Sequence, residues 1–282
     1  MSGAIRLIAV DVDGTLLDPD GAVRPRVERS IKQAITAGCR VILATGRRLQ
    51  SASPIARRLG ISTLILVDGA VIHDLDDGTI YEQCLSLPLQ RQAVELVQSV
   101  GVPPILFESP SASARIVAGP PALDNDETAN YLRQRPEVFR VPPDHLSGHA
   151  HIVSVVGMGP RQPIEQLAAM AARVNDFGTV FWSPSNSGYR TYVVGLNAPN
   201  VSKGRALQWL ASRWGIALSE TMAIGDYEND VSLIATAGIG VAMGNAVPSL
   251  KEVAGAVVAD NANDGVAEAL ERWVLRTEGV GD

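Results

Sequence analysis

Two aspartates one residue apart, Asp11 and Asp13, stand in the string Asp11-Val12-Asp13-Gly14-Thr15-Leu16-Leu17-Asp18, directly after an apolar run. Carboxylates this close repel each other, and the repulsion raises the pKa of one of them. One can then attack as a nucleophile while the other keeps a proton to donate. Both can face the same crevice if the chain leaves extended geometry after Asp11, and Gly14 permits that. An Asp-rich turn capping a helix would use the same residue types. Such a turn is common; the whole string is far less so.

Three further elements occur in the order a phosphoryl-transfer site needs. Thr45 follows the apolar run Arg40–Ala44 and can offer a hydroxyl and nearby backbone N–H groups to phosphate oxygens. Its structural alternative is a helix N-cap. Lys203 can neutralise both a nucleophile and a phosphoryl group; taken alone, it is better read as a solvated lysine. Gly225-Asp226-Tyr227-Glu228-Asn229-Asp230 follows another apolar run. Asp226 and Asp230 can hold a hard cation through oxygen, or simply form an acidic helix N-terminus favoured by the dipole.

The elements that must position these residues are readable from periodicity. Short apolar runs at residues 7–10, 40–44 (after its leading Arg40), 64–67, 222–224, 239–242 and 256–258 predict buried strands. Between them, amphipathic stretches at 26–37, 53–59, 203–214, 228–235 and 265–275 predict helices. Apolar strands alternating with helices imply a doubly wound, Rossmann-like parallel sheet covered on both faces. In such a sheet, ligands bind at the carboxyl ends of the strands, where the four elements lie. A hairpin is expected over 70–73 and 79–82. Residues 86–192 differ: strands are shorter, proline is frequent, and helices are expected at 125–134 and 164–174. This segment is read as an inserted α+β domain, with the core formed by 1–85 and 193–282.

The ordered elements resemble the four motifs of the haloacid dehalogenase superfamily of phosphatases, and the resemblance covers essentially the whole chain. Within it, the chain is similar to the Cof-type group, which carries a large α/β (type IIB) cap. Asp68-Gly69-Ala70, Val201-Ser202-Lys203-Gly204 and the segment from Asn261 to Ala267 support this. The group often has Asn where this chain has Asp68. The resemblance implies that Asp11 attacks phosphorus and becomes a phosphoaspartate, and that Asp13 protonates the leaving oxygen and then activates water. It implies phosphate binding by Gly14, Thr45, Gly46, Arg47 and Lys203. It implies Mg²⁺ held by Asp11, the Asp13 backbone carbonyl and Asp226, with Asp230 assisting. The substrate expected is a small phosphorylated metabolite such as a sugar phosphate, with the cap choosing among leaving groups. A phosphohexomutase of the same superfamily and a non-catalytic metabolite-binding protein are the alternatives.

Other features weigh less. Gly238–Gly244 resembles a dinucleotide fingerprint, but its spacing is wrong. His145, His149 and His151 are read as a surface loop entering a strand rather than a metal cluster. Arg47 is expected to anchor its loop or the acids of the Asp226–Asp230 string, and Arg48 to be solvated. Asn186 and Arg190 are weak specificity candidates. A net charge of −6 argues against a general nucleic-acid binder. No run is long enough to cross a bilayer. Cys39 and Cys84 show neither disulfide nor zinc spacing, so a reducing cytoplasm is the simplest expectation. Sequence leaves the oligomeric state open.

Overall fold

The computed structural model describes residues 4–174, 177–182 and 191–275. They form two compact units, Met1–Gly69 with Ser202–Asp282, and Ala70–Val201.

The first unit begins with β1 (Leu7–Val10), α1 (Pro25–Thr36), β2 (Arg40–Ala44), α2 (Leu49–Leu59) and β3 (Thr63–Leu66). All four residues of β1 are buried, so its solid apolar run serves a sheet covered on both faces. In α1, Pro25 opens the helix, where its missing N–H costs nothing, and Val27, Ile31 and Ala34 form the buried stripe. α2 starts at Leu49, earlier than expected, with Pro54 inside it.

The second unit follows: β4 (Val71–Asp74), β5 (Gly78–Glu82), α3 (Leu87–Ser99), β6 (Pro104–Glu108), β7 (Ile116–Ala118), α4 (Asp126–Leu132), β8 (Val138–Arg140), β9 (Ile152–Gly159), α5 (Arg161–Val174), β10 (Gly178–Trp182) and β11 (Tyr192–Asn197). Its six-stranded sheet runs β10-β11-β9-β6-β7-β8 and is antiparallel except for the β7–β8 pair. Two expectations are corrected here. Helix α3 adds to the helices expected in this segment at 125–134 and 164–174; Pro88 lies in its first turn, and Ala93, Val94 and Val97 are buried. β9 is eight residues long and buried throughout, where shorter strands were expected. Gly157 lets α5 approach, since a Cβ there would lie 2.9 Å from Leu167. The units divide outside residues 86 and 192: within the second unit, Gln83 donates to the Pro199 carbonyl and Leu85 N–H to that of Ile152.

The chain then completes the first unit with α6 (Lys203–Arg213), β12 (Thr221–Gly225), α7 (Val231–Thr236), β13 (Ile239–Ala242), α8 (Pro248–Val253), β14 (Ala256–Val257) and α9 (Gly265–Trp273). In this unit the strand order is β14-β13-β12-β1-β2-β3, all parallel. From β1 the early strands step one way and the late strands step the other. The order therefore reverses between β1 and β12, which opens a crevice at their carboxyl ends. The Gly238–Gly244 run serves packing, not a cofactor: a Cβ on Gly238 would meet the Leu218 carbonyl at 2.6 Å, and one on Gly240 that of Ile234 at 2.5 Å. Among the described residues, no helix is long and apolar enough to cross a membrane.

α6 and α7 touch through Gly204. A methyl there would lie 2.7 Å from the Thr236 hydroxyl and nearer still to the Ser232 carbonyl. Alanine in place of glycine gains about 1 kcal/mol of helix propensity, but overpacking typically costs about 1–3 kcal/mol, and backbone cannot yield as a side chain can. Gly204→Ala is therefore expected to lower the urea midpoint of unfolding, with the denaturant slope unchanged. An equal or higher midpoint would show that the two helices separate freely.

Candidate active site

β1 delivers Asp11 to the crevice. Its N–H donates to the Ile224 carbonyl on β12 at 3.0 Å, which fixes the residue at the reversal point. The chain then turns tightly through Val12–Leu16, where Gly14 adopts φ 83. That left-handed angle suits glycine, and a Cβ there would also lie 2.9 Å from the Asp226 carboxyl carbon. Lys203 is the first residue of α6, whose N-cap Ser202 accepts from the Arg205 N–H. Its ammonium is fully buried, 2.6 Å from Asp11 Oδ1 and 2.6 Å from Asp230 Oδ1. The reading of Lys203 as a solvated lysine is thereby excluded.

The loop after β12 supplies the other carboxylates. Asp230 Oδ2 accepts from the N–H groups of Asp226 (3.1 Å) and Tyr227 (3.2 Å). Asp226 accepts from the Thr15 hydroxyl at 2.7 Å. Asn245 donates to the Gly14 carbonyl at 2.8 Å and to Asp226 Oδ2 at 3.4 Å. Asp11, Asp226 and Asp230 each place a carboxylate oxygen within 4.8 Å of the others.

Burial of so much like charge has electrostatic consequences. Asp11 is held well above the usual carboxylate range, first by burial, then by repulsion from Asp230, against the pull of Lys203. Asp226 is pushed up to about 7 by burial and by Asp230. Burial works to lower the Lys203 pKa, but Asp11 and Asp230 outweigh it and hold the ammonium above its ordinary range. Asp68 is also buried, and burial raises it. Four buried carboxylates thus surround one buried ammonium, a surplus of negative charge among oxygen donors. That donor set fits a hard divalent cation such as Mg²⁺.

Thr45 does not cap a helix, because α2 begins after Arg48. Its hydroxyl instead accepts from the Arg47 N–H at 3.1 Å, and it is buried beside the crevice. Arg47 grips Asp13 with two bonds of 2.7 and 2.6 Å, rather than the acids of the Asp226–Asp230 string. Arg48 is buried, contrary to the expectation of a solvated side chain. Gly46 abuts Asp68: a Cβ would sit 2.9 Å from its Oδ2. Val67 and Asp68 both take positive φ, 48 and 55, an uncommon conformation for side-chain-bearing residues. Bonds from Val67 N–H to the Arg47 carbonyl, from Asp68 N–H to the Thr45 carbonyl and from Asn229 to Asp68 Oδ1 (2.8 Å) hold them there. Asp18, the end of the acidic string, accepts from the N–H groups of Asp20 and Ala22 and belongs to a turn.

Sequence reasoning passed over Thr15, Asn229 and Asn245 as individuals. The first two lie inside strings it singled out, and Asn245 follows the glycine run it set aside. The three histidines do not assemble: His149 bonds to the His145 carbonyl, and His151 to Glu82. Asn186 and Arg190 lie outside the described residues.

Comparison with known proteins agrees with this geometry. A sequence model of the family described as haloacid dehalogenase-like hydrolase matches residues 8–270. The phosphatase YwpJ of Bacillus subtilis is 30% identical over 95% of this chain and 99% of its own. The 5-amino-6-(5-phospho-D-ribitylamino)uracil phosphatase YcsE of the same organism is 26% identical, covering 96% of each chain. A solved sugar phosphatase of subclass IIB superposes with a TM-score of 0.78 at 22% identity, over 95% of this chain and 98% of that one.

The raised pKa of Asp226 makes stability depend on pH. Without a divalent cation, the folded chain keeps this proton up to pH about 7, whereas the unfolded chain loses it near 3.8. The folded state binds more protons between those values, so this contribution is complete below the lower and lost as pH rises through the upper. With chelator present, the melting temperature is expected to fall across that window, and Asp226→Asn should flatten the fall. An unchanged slope in the variant would remove Asp226 as its source.

Proposed function

Because the chain belongs to the haloacid dehalogenase-like hydrolases, within the Cof-type phosphatases, we propose that it hydrolyses a phosphomonoester of a small metabolite, such as a sugar phosphate, through a phosphoaspartate on Asp11 with Mg²⁺. The observation that carries this reading is the buried Lys203 ammonium bridging Asp11 and Asp230 at the reversal point of the sheet. Lys203 engages one Asp11 oxygen, Oδ1, so Oδ2 is the oxygen assigned to the attack.

In the first step, Asp11 forms a bond to phosphorus as the bond to the leaving oxygen breaks, and Asp13 gives that oxygen a proton. In the second, Asp13 takes a proton from water, the water oxygen bonds to phosphorus, and Asp11 departs as a carboxylate. Lys203 and the Thr45 hydroxyl steady the phosphoryl oxygens, with the backbone of Gly14 and Gly46 and the Arg47 guanidinium as further binding groups. As drawn, Arg47 occupies both Asp13 oxygens. Asp13 must therefore exchange that grip for the leaving group before the first proton moves. Asp11, Asp226 and Asp230 are the side chains assigned to the metal, with the Asp13 carbonyl added by family resemblance. Bound Mg²⁺ supplies charge neutralisation and polarises the phosphoryl group. The choice of leaving group is assigned to residues 86–192, because every motif lies outside them.

A screen of diverse phosphate esters with Mg²⁺, scored by phosphate release per site, tests the reading. A folded chain that released phosphate from none of them, p-nitrophenyl phosphate included, would sink it. Chelation should abolish turnover, Mg²⁺ should restore it, and Ca²⁺ should not, because the larger ion accepts looser geometry and misplaces the nucleophile. Full activity with Ca²⁺ contradicts the metal assignment.

Asp13→Asn separates the two steps. p-Nitrophenolate hardly needs a proton to leave, whereas a sugar alkoxide does. The variant should give a burst of about one equivalent of nitrophenolate per site, then a slow steady rate, as phosphorylated Asp11 accumulates. Wild-type steady rates on both substrate types would give the proton to another residue.

A further inference from the structure

A second cluster of metal-ligating side chains lies within the Ala70–Val201 unit, apart from the proposed chemistry. Glu82 ends β5 and Cys84 follows two residues later, a spacing that puts both side chains on one side of an extended chain. His151 immediately precedes β9 and adopts φ 58, a left-handed conformation rare for a residue with a side chain. Its carbonyl accepts from the Ser109 N–H at 2.8 Å. The ladder between β6 and β9 shifts register at Phe107/Glu108, beside this point, and such bulges re-aim side chains. The imidazole Nδ1 thereby comes 2.9 Å from Glu82 Oε1, although the residues are 69 apart in sequence. A Glu82 oxygen, the Cys84 sulfur and a His151 ring nitrogen all lie within 4.8 Å of one another.

We propose that Glu82, Cys84 and His151 form a binding site for a borderline divalent cation of the zinc class, with three protein ligands and a fourth position for water or an outside ligand. A surface ion pair joins Glu82 to His151, and the Cys84 thiol also hydrogen-bonds to Glu82, so all three donors converge on one point. The donor set separates this site from the acidic one: thiolate and imidazole suit Zn²⁺ and Co²⁺, whereas Mg²⁺ takes oxygen. Ser111 donates to the other Glu82 oxygen at 2.5 Å, the kind of outer contact that orients a carboxylate ligand. Burial and the Glu82 carboxylate push the Cys84 thiol up to about 11, so coordination releases its proton to solvent. A bound ion would staple the end of β5 to the start of β9. The proposal does not rest on the phosphatase reading.

Co²⁺ titration of the full chain, with Mg²⁺ in excess to occupy the acidic site, provides the test. One equivalent should produce sulfur-to-cobalt charge-transfer absorption in the near ultraviolet, and Zn²⁺ should abolish it. Oxygen ligands alone give no such band. Cys84→Ser should remove it, Cys39→Ser should leave it, and Ser111→Ala should weaken Co²⁺ binding by about tenfold. His151→Ala, at an exposed position, should weaken it at least as much and guards against misfolding of the cysteine variant. No band in folded wild-type protein, survival of the band in Cys84→Ser, or unchanged affinity in His151→Ala would each overturn the proposal.

Discussion

A buried ammonium held between two carboxylates, Lys203 between Asp11 and Asp230, is the interaction on which the first unit depends. An unpaired charge at full burial costs several kcal/mol, and deleting one member of a buried pair typically costs about 3–5 kcal/mol. The pair joins the end of β1, the start of α6 and the loop after β12. Each of those elements is therefore fixed in place by the same contact that gathers the chemistry. The surplus of carboxylates around it is what a cation would offset, so the site is electrostatically incomplete as protein alone.

The loops around this contact bury Val12, Leu16 and Val67 and are tied further by polar bonds. Asn245 ties the Gly14 turn to Asp226, and Asn229 ties the β12 loop to Asp68. Val67 and Asp68 bear an unfavourable backbone conformation within that lattice. Such strain persists where surrounding bonds over-determine it, and it clusters at functional sites. Asp68 stands at a position where the family resemblance leads one to expect Asn. A buried carboxyl accepting from Asn229 fills that place here, with its pKa raised by burial.

Asp11, Thr45 and Asp226 were legible because each follows a parallel strand with a buried interior, and such strands appear in sequence as short apolar runs. Lys203 was legible only through its company, since one lysine at a helix start says nothing of burial. Side-chain pairings across the chain were not legible. The grip of Arg47 on Asp13, the burial of Arg48 and the meeting of Glu82 with His151 depend on loop angles that composition does not encode. Local signals also misled where packing prevailed: β9, in a segment expected to hold shorter strands, runs eight residues, and Gly157 within it admits a neighbouring side chain.

Because the Ala70–Val201 unit interrupts the first one, Asp11 and Lys203 are separated by 192 positions along the chain. A ribosome releases Asp11 early and Lys203 only after the entire insertion has emerged. Until then β1 lacks both its β12 neighbour and the ammonium that its terminal carboxylate is built to meet. The nascent first half must wait as an unfinished sheet with an open edge, while the insertion can mature by itself. Contacts of such long separation close slowly, and exposed strand edges invite wrong partners. During synthesis, this architecture therefore places its greatest need for chaperone protection on the segment that carries Asp11.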